Sequence, residues 1–222
     1  MLKIQENLKK IHEKILTIRK KYYIPQKKIK LLVVSKSRSI QEIQTAILCK
    51  QYEFGESYIQ ESLFKIKTFK NIKWHFIGHI QSNKTRIIST NFDWCHTVKN
   101  EKIAKKLNKH RYNIAPKLNI LIQIDIRDNF SMSKINVNNF KNLIKKIILL
   151  KNLNLRGVMG MPYKFIHYND QVKSYQNVPL YFSIMKDIHP DVDTISIGTS
   201  HDMQAAIISG STLIRIGSYI FD

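Results

Sequence analysis

The segments NILIQIDI, residues 119–126, and TLIRIGS, residues 212–218, decide the fold class. Both are apolar nearly throughout, whereas a strand with one wet face alternates apolar and polar residues. Continuous apolar character is typical of strands that are buried on both faces of a parallel sheet. The two segments therefore predict an α/β protein.

Eight apolar, β-branched segments recur along the chain, and helix-like patterns lie between them. The predicted strands are 29–35, 52–55, 73–78, 92–98, 118–126, 153–161, 194–198 and 212–217. The predicted helices are 39–50, 57–68, 84–89, 100–109, 137–150, 169–187 and 201–209. This alternation predicts a single (β/α)8 barrel domain over residues 1–222. A doubly wound open sheet is the alternative, and the count of eight strands favours the barrel.

The N-terminal segment carries a helical pattern. Apolar residues recur there at spacings of three and four, with charged residues between them. These residues are Ile4, Leu8, Ile11, Ile15 and Ile18. The pattern predicts an extra N-terminal amphipathic helix, and it lacks the uncharged apolar core of a signal peptide.

The net charge of +21 raises the question of nucleic-acid binding. Only 7 of the 37 basic residues are arginine, and the lysines spread from Lys3 to Lys186 without forming one cluster. We therefore expect no specific nucleic-acid binding. No apolar run approaches the ~20 residues that span a bilayer, and Cys49 and Cys95 form no CxxC pair. We expect a cytoplasmic monomer with no membrane partner.

The last two predicted strands end almost identically, as ISIGTS (195–200) and IRIGSY (214–219). In a (β/α)8 barrel the loops after strands seven and eight often hold a phosphate. Glycine lets the backbone approach an anion, and the neighbouring residues supply N–H and hydroxyl donors. Ser200 also stands where it can cap the helix 201–209. These ends predict an anion site, although the glycines can also simply end two strands.

Lys36 follows the first predicted strand, in the stretch LLVVSKSRS (31–39). Its position places it at the same mouth of the barrel as the two glycine-containing ends. Burial beside apolar strands would remove water from the amine and leave more of it nucleophilic. A lysine facing a phosphate site is what a Schiff base with an aldehyde-bearing phosphate requires.

Four other polar residues attract attention and carry weaker hypotheses. His75 and His79 in WHFIGHI have no nearby cysteine or carboxylate cluster, so a packed core histidine or a site-lining role is favoured over a metal site. Glu56 and Glu61 are interpreted as solvated charges at the start of a helix. We expect no bound metal.

A family resemblance covers nearly the whole chain and is strongest at five motifs, in this order: LLVVSKSRS, FGESYIQE, WHFIGHIQSNK, LRGVMGMP and ISIGTSHDMQAAIISGSTLIRIGSYIF. Together they resemble the YggS/PROSC-like pyridoxal 5′-phosphate (PLP)-binding proteins, also called PLP homeostasis proteins. The resemblance implies a barrel similar to the N-terminal domain of alanine racemase. It also implies that PLP is held as an internal aldimine.

Carried over position by position, the resemblance assigns six cofactor-binding residues and no catalytic residue. Lys36 would form the Schiff base, and Arg215 would face the pyridine nitrogen. The phosphate would be held by Thr199, Ser200, Gly217 and Ser218. The sequence departs from the family pattern at Ser57, His79, Asp125, Met132, Lys134 and Ser218.

The function that the resemblance implies is a part in PLP (vitamin B6) homeostasis, without substrate turnover. PLP-dependent apo-enzymes are candidate recipients of the cofactor. The alternative is a PLP-dependent racemase-like enzyme, and a weak activity of that kind stays open. Alanine racemases add a second domain and a tyrosine base from a dimer partner, for which we expect no room in 222 residues.

Overall fold

Eight parallel strands close into a barrel in the computed structural model, which describes residues 2–24, 29–126, 136–163 and 165–222. In chain order the strands are β1 (Lys30–Val34), β2 (Glu53–Glu56), β3 (Lys73–Phe76), β4 (Trp94–Val98), β5 (Leu118–Ile124), β6 (Leu153–Gly160), β7 (Thr194–Ser196) and β8 (Leu213–Ile216). Each strand pairs with the next one along the chain. The predicted (β/α)8 architecture is confirmed.

Helices surround the barrel in alternation with the strands. They are α1 (Leu2–Lys21), α2 (Ile40–Leu48), α3 (Ile59–Thr68), α4 (Thr85–Asn91), α5 (Glu101–His110), α6 (Val137–Ile147), α7 (Tyr168–Tyr175), α8 (Val178–Ile188), α9 (Met203–Ile208) and α10 (Ser218–Phe221). A 3₁₀ turn at Ser82–Lys84 leads into α4. Within the described ranges, none of the helices combines the length and the apolar character that crossing a bilayer requires.

The barrel is closed by pairing of its first and last strands. Leu32 of β1 lies opposite Arg215 of β8, and Val33 lies opposite Ile216. An open doubly wound sheet would leave two unpaired edge strands, so that alternative is wrong. Closure also brings the C-terminal ends of β1 and β8 side by side, which places the residue following each strand at one mouth.

The extra N-terminal helix is present and buries the predicted stripe. Its five apolar residues are all less than a tenth exposed. Asn7 donates from Nδ2 to the carbonyl oxygen of Ile220, 3.1 Å away, and so ties α1 to α10. Burial of each leucine or isoleucine side chain contributes about 1.5–3 kcal/mol relative to exposure, so this stripe suffices to hold α1 against the barrel.

The structure differs from the helix prediction in two places. The segment 169–187 contains two helices, because Pro179 lacks an N–H and its ring would clash with the carbonyl of residue 175 in a continuous helix. The short helix α10 was absent from the sequence-based prediction, since four residues carry no helical period.

Candidate functional site

The loops that follow β7 and β8 meet at the C-terminal mouth of the barrel. The hydroxyl oxygens of Ser200 and Ser218 lie 3.3 Å apart, although 18 residues separate them in the chain. Ser200 is buried and Ser218 is exposed. The two similar strand ends therefore present paired hydroxyl groups to one point at the mouth.

Two glycines make this approach possible. Gly198 has a φ of +94°, and a Cβ added there would lie 2.5 Å from the Cβ of Ala206. A Cβ added to Gly217 would lie 3.1 Å from the carbonyl oxygen of Val34, on the neighbouring strand. Gly198 is therefore required by the loop conformation, and Gly217 by the close approach of the β8 end to β1.

Asp202 shapes the loop after β7. Its Oδ1 atom accepts hydrogen bonds from the backbone N–H of Thr199 at 2.6 Å and from the Thr199 hydroxyl at 2.9 Å. Asp202 is also the N-cap residue of α9, so the prediction that Ser200 caps this helix is wrong. The helix begins later than predicted because the carboxylate first closes the turn 199–202.

Lys36 lies in the turn after β1, beside the β8 end. Its side chain is exposed. The prediction that surrounding apolar strands dehydrate the amine is therefore wrong for this structure. The backbone on one side of Lys36 is held by a carboxylate, because the N–H of Ser37 donates to Glu61 at 2.6 Å.

A cluster of ionised side chains around the buried Lys65 supports the turn that contains Lys36. Lys65 is 3% exposed, and its Nζ atom donates to the carbonyl oxygen of Ser35 at 2.6 Å, to Glu56 at 2.8 Å, and to Glu61. Ser35 also donates its hydroxyl to Glu56, at 2.6 Å. The interpretation of Glu56 and Glu61 as solvated charges is wrong for Glu56, which is fully buried, and incomplete for Glu61, which is partly exposed and bound to Lys65.

Burial is the largest influence on the Glu56 carboxyl group and raises its pKa. Hydrogen bonds from Lys65 and Ser35 act in the opposite direction. Sequence reasoning missed this cluster, and the spacing of Glu61 and Lys65 by four residues on a helix was the one available signal.

Arg215 is buried at the inner face of β8. Its Nη1 atom donates to the carbonyl oxygen of Ser196 at 2.7 Å and to the Ser196 hydroxyl at 2.8 Å. Its Nη2 atom donates to the carbonyl oxygen of Gly160, 3.1 Å away. Among the described residues, no carboxylate forms an ion pair with Arg215. The guanidinium is therefore held by the C-terminal ends of β6 and β7, with Nε–H and one Nη2–H left over.

The two candidate histidines lie in different environments. His75 is fully buried on β3, as predicted for a core histidine, whereas His79 is exposed. The part of the chain that the structure describes contains no group of three or more histidine, cysteine or carboxylate side chains that could hold a metal ion. Met132 and Lys134 lie outside the described residues.

Comparisons with known proteins agree with this architecture. The family model described as "Alanine racemase, N-terminal domain" matches residues 7–222. A pyridoxal phosphate homeostasis protein of Buchnera aphidicola subsp. Baizongia pistaciae is 56% identical over 222 residues, which is 100% of both chains. A pyridoxal phosphate homeostasis protein of Escherichia coli K12 is 40% identical over 98% of this chain and 95% of its own length.

Solved structures share the fold at low sequence identity. PipY of Synechococcus elongatus PCC7942, described with PLP bound, is 22% identical with a TM-score of 0.83, covering 99% of this chain and 100% of its own. Alanine racemase of Bacillus anthracis is 15% identical with a TM-score of 0.68. The match covers 97% of this chain and 54% of the racemase chain. The barrel thus corresponds to about half of the racemase.

Proposed function

The chain belongs to the pyridoxal phosphate homeostasis proteins, within the family of the alanine racemase N-terminal domain, and we propose that it binds PLP at the C-terminal mouth and takes part in PLP homeostasis. The observation that carries the proposal is the meeting of the Ser200 and Ser218 hydroxyls beside the turn that contains Lys36. The relatives' names and the position of this pair, after strands seven and eight of a barrel, both support a phosphate-bearing ligand.

The donor set fits a phosphate. Ser200 and Ser218 supply hydroxyl groups, and glycine at position 217 adds no side chain that would keep an anion from the backbone. Thr199 acts differently, because both of its donors already bind Asp202. We therefore assign direct phosphate contacts to Ser200, Gly217 and Ser218, and assign Thr199 the task of fixing the loop.

When bound, PLP supplies an aldehyde that condenses reversibly with an amine and a pyridine nitrogen that can accept a hydrogen bond. Lys36 is the proposed point of attachment, since it follows β1 at the mouth. Arg215 is the proposed partner of the ring nitrogen, and two of its N–H groups remain for that purpose. Arg215 is always charged and can only donate, so it holds the ring nitrogen without a proton.

An unprotonated pyridine is a weak electron sink, and this favours a carrier of PLP over a catalyst. We therefore propose that the protein holds and releases the cofactor, with PLP-dependent apo-enzymes as recipients. A racemase-like activity is the competing function, which shares the barrel and the cofactor but needs strong bases at the substrate.

Attachment is tested by reducing the PLP-loaded full chain with borohydride and mapping the adduct by peptide mass spectrometry. We expect the adduct on Lys36 and its loss in Lys36→Ala, while Lys84→Ala, which alters another lysine, keeps it. An adduct found mainly on a different lysine would refute the attachment site.

The phosphate contacts are tested by titrating PLP and pyridoxal. Charge-assisted hydrogen bonds contribute roughly 1.5–3 kcal/mol, so Ser200→Ala should weaken PLP binding by about one to two powers of ten. Ser209→Ala, at the other end of α9, is the matched control and should bind normally. Equal affinity for PLP and pyridoxal would show that the paired serines do not hold the phosphate.

Turnover is tested by incubating the PLP-loaded protein with L-alanine and other amino acids in deuterated water. We expect no rapid α-proton exchange or racemisation. Exchange that disappears in Lys36→Ala would establish the racemase-like function and overturn the assignment as a carrier.

A further inference from the structure

A continuous line of polar side chains runs through the inside of the barrel, away from the mouth. It begins at Arg215, whose Nη1 atom lies 2.8 Å from the hydroxyl oxygen of Ser196. That oxygen lies 3.1 Å from Nδ1 of His96, and Nε2 of His96 lies 2.9 Å from Nδ1 of His75. Nε2 of His75 faces a carboxylate oxygen of Glu53 at 3.8 Å.

The line crosses the barrel from one end to the other. Arg215 and Ser196 stand at the C-terminal ends of β8 and β7, whereas Glu53 is the first residue of β2. Ser196, His75 and His96 are fully buried. Trp94 stacks on His75 with ring centroids 5.1 Å apart and planes 6° from parallel, so the imidazole cannot turn freely.

The direction of the hydrogen bonds follows from Arg215, because a guanidinium can only donate. If Ser196 accepts from Arg215 and donates to Nδ1 of His96, then His96 carries its proton on Nε2 and donates to Nδ1 of His75. His75 then also carries its proton on Nε2 and points it toward Glu53. Each hydrogen bond from Arg215 to His75 then has one donor and one acceptor, and the Nε2–H of His75 faces the Glu53 carboxylate without a hydrogen bond.

The reverse direction of the hydrogen bonds is unfavourable both at Ser196 and at His75. The Ser196 hydroxyl would accept from both Arg215 and His96, and its proton would have no acceptor among the described residues. The lone pair of His75 Nε2, which is buried without a hydrogen bond, would face the negative charge of Glu53. A buried donor left unpaired costs about 1–3 kcal/mol in either direction. In the outward direction that donor is the N–H of His75, which faces and is attracted by the Glu53 carboxylate, so the outward direction from Arg215 prevails.

Both histidines are neutral in this arrangement, which the burial of the rings supports. Burial lowers the pKa of His75 well below its usual value, and His96, Lys30 and Lys73 lower it further. Burial also lowers the pKa of His96, and the charge of Arg215 adds to that effect. Neither ring gains a charge that would compete with the guanidinium.

We propose that Ser196, His96 and His75 are positioning residues that hold Arg215 through a one-way hydrogen-bond chain, which ends at His75 with its Nε2–H facing Glu53. The chain fixes the plane of the guanidinium and leaves its free N–H groups for the ligand. It also extends from the buried positive charge to a ring that faces a carboxylate, 3.8 Å away, at the opposite end of the barrel. The hydrogen bond from Arg215 to a pyridine nitrogen rests on the proposed PLP function, whereas the hydrogen-bond chain does not depend on that function.

The chain is tested in the ligand-free protein by ¹⁵N NMR of histidine side chains. The six other histidines, none of which is buried, are first replaced with glutamine to leave two imidazole rings. These six are His12, His79, His110, His167, His189 and His201. We expect both remaining rings as the neutral Nε2–H tautomer from pH 5 to pH 8. An Nδ1–H tautomer at either ring, or a ring that becomes charged in this range, would refute the chain.

The positioning role is tested with Ser196→Ala and an analogue of PLP in which carbon replaces the ring nitrogen. The wild type should prefer PLP over the analogue by about tenfold or more, since only PLP can accept from Arg215. Ser196→Ala should lose most of this preference and disturb the His96 signal, and Ser196→Thr should restore both. Ser89→Ala removes another fully buried serine hydroxyl and should keep the preference.

The outcomes separate the two proposals. Absence of PLP binding by the wild type would defeat the proposed function. The NMR experiment, which needs no ligand, would then decide whether the hydrogen-bond chain exists. Normal PLP binding with an unchanged ring-nitrogen preference in Ser196→Ala would defeat the positioning role alone.

Discussion

The phenol of Tyr175 donates a 2.7 Å hydrogen bond to the Oδ2 atom of Asp202, the carboxylate whose other oxygen holds Thr199. Tyr175 is fully buried on α7. Burial raises the pKa of its phenol, and the charge of Asp202 raises it further, so the group remains a donor. The loop after β7 is thus anchored to a helix from outside the barrel.

Replacing Tyr175 with phenylalanine should loosen this loop without removing the ring from the core. One carboxylate oxygen of Asp202 loses its partner, which costs about 1–2 kcal/mol in the free energy of unfolding. We expect PLP binding to weaken by about threefold to tenfold in an absorbance titration. Tyr112→Phe, on an exposed turn, is the control. PLP binding as tight as that of the wild type would show that the phenol does not support the site.

Gly198→Ala should be strongly destabilising, because the positive φ and the 2.5 Å approach to Ala206 act together. A residue with a Cβ costs about 1–2 kcal/mol at positive φ, and overpacking adds about 1–3 kcal/mol. Gly210→Ala is a matched control, since its φ is +93° but its nearest neighbour is 3.9 Å away. Urea denaturation should therefore show a loss roughly twice as large for Gly198→Ala. Similar losses for the two variants would mean that the contact with Ala206 relaxes.

Lys65→Met should leave Glu56 buried without its ion-pair partner. Breaking one side of a buried ion pair costs about 3–5 kcal/mol. The variant Lys65→Met/Glu56→Gln should recover part of this loss, because the uncompensated charge is gone. Denaturation of the single and double variants measures the difference. A double variant no more stable than Lys65→Met would indicate that packing, and not charge, dominates at this position.

The raised pKa of Glu56 makes a prediction about pH. A carboxyl group whose pKa is higher in the folded state contributes stability below its unfolded pKa, about 4.5, and loses that contribution as pH rises through the folded value. The free energy of unfolding of the wild type, relative to Glu56→Gln, should therefore fall as pH rises above about 4.5. A difference that grows with pH would mean that Lys65 and Ser35 outweigh burial.

The barrel could be predicted from the sequence because its strands are buried on both faces. Residues 118–124 and 213–216 are apolar almost without interruption, and helical patterns separate such runs along the chain. The break at Pro179 was also legible, since proline ends a helix by local sterics alone. Barrel closure itself is a long-range relationship, and the strand count was the only local sign of it.

The candidate site was predictable in position but not in detail. Matching strand ends placed Ser200 and Ser218 at one mouth, because a barrel gathers its strand ends there. The roles of Asp202 and Lys65 were only partly visible in local spacing, which brings Thr199 near Asp202 and Glu61 near Lys65. Their contacts with Tyr175 and Glu56 form across the fold, and no local pattern encodes those. The hydrogen-bond chain from Arg215 to His75 could not be predicted either, because an isolated histidine in a strand has the same local pattern as a packed core histidine.

The pairing of β1 with β8 has a consequence for folding during translation. Lys36 follows the first strand and Ser218 follows the last, so the proposed site straddles the seam where the barrel closes. On the ribosome, β1 emerges early and keeps one edge unpaired until β8 has left the exit tunnel. The proposed site is therefore not formed in a nascent chain that lacks β8. The ligand can bind only after the final strand has been translated and has paired with β1.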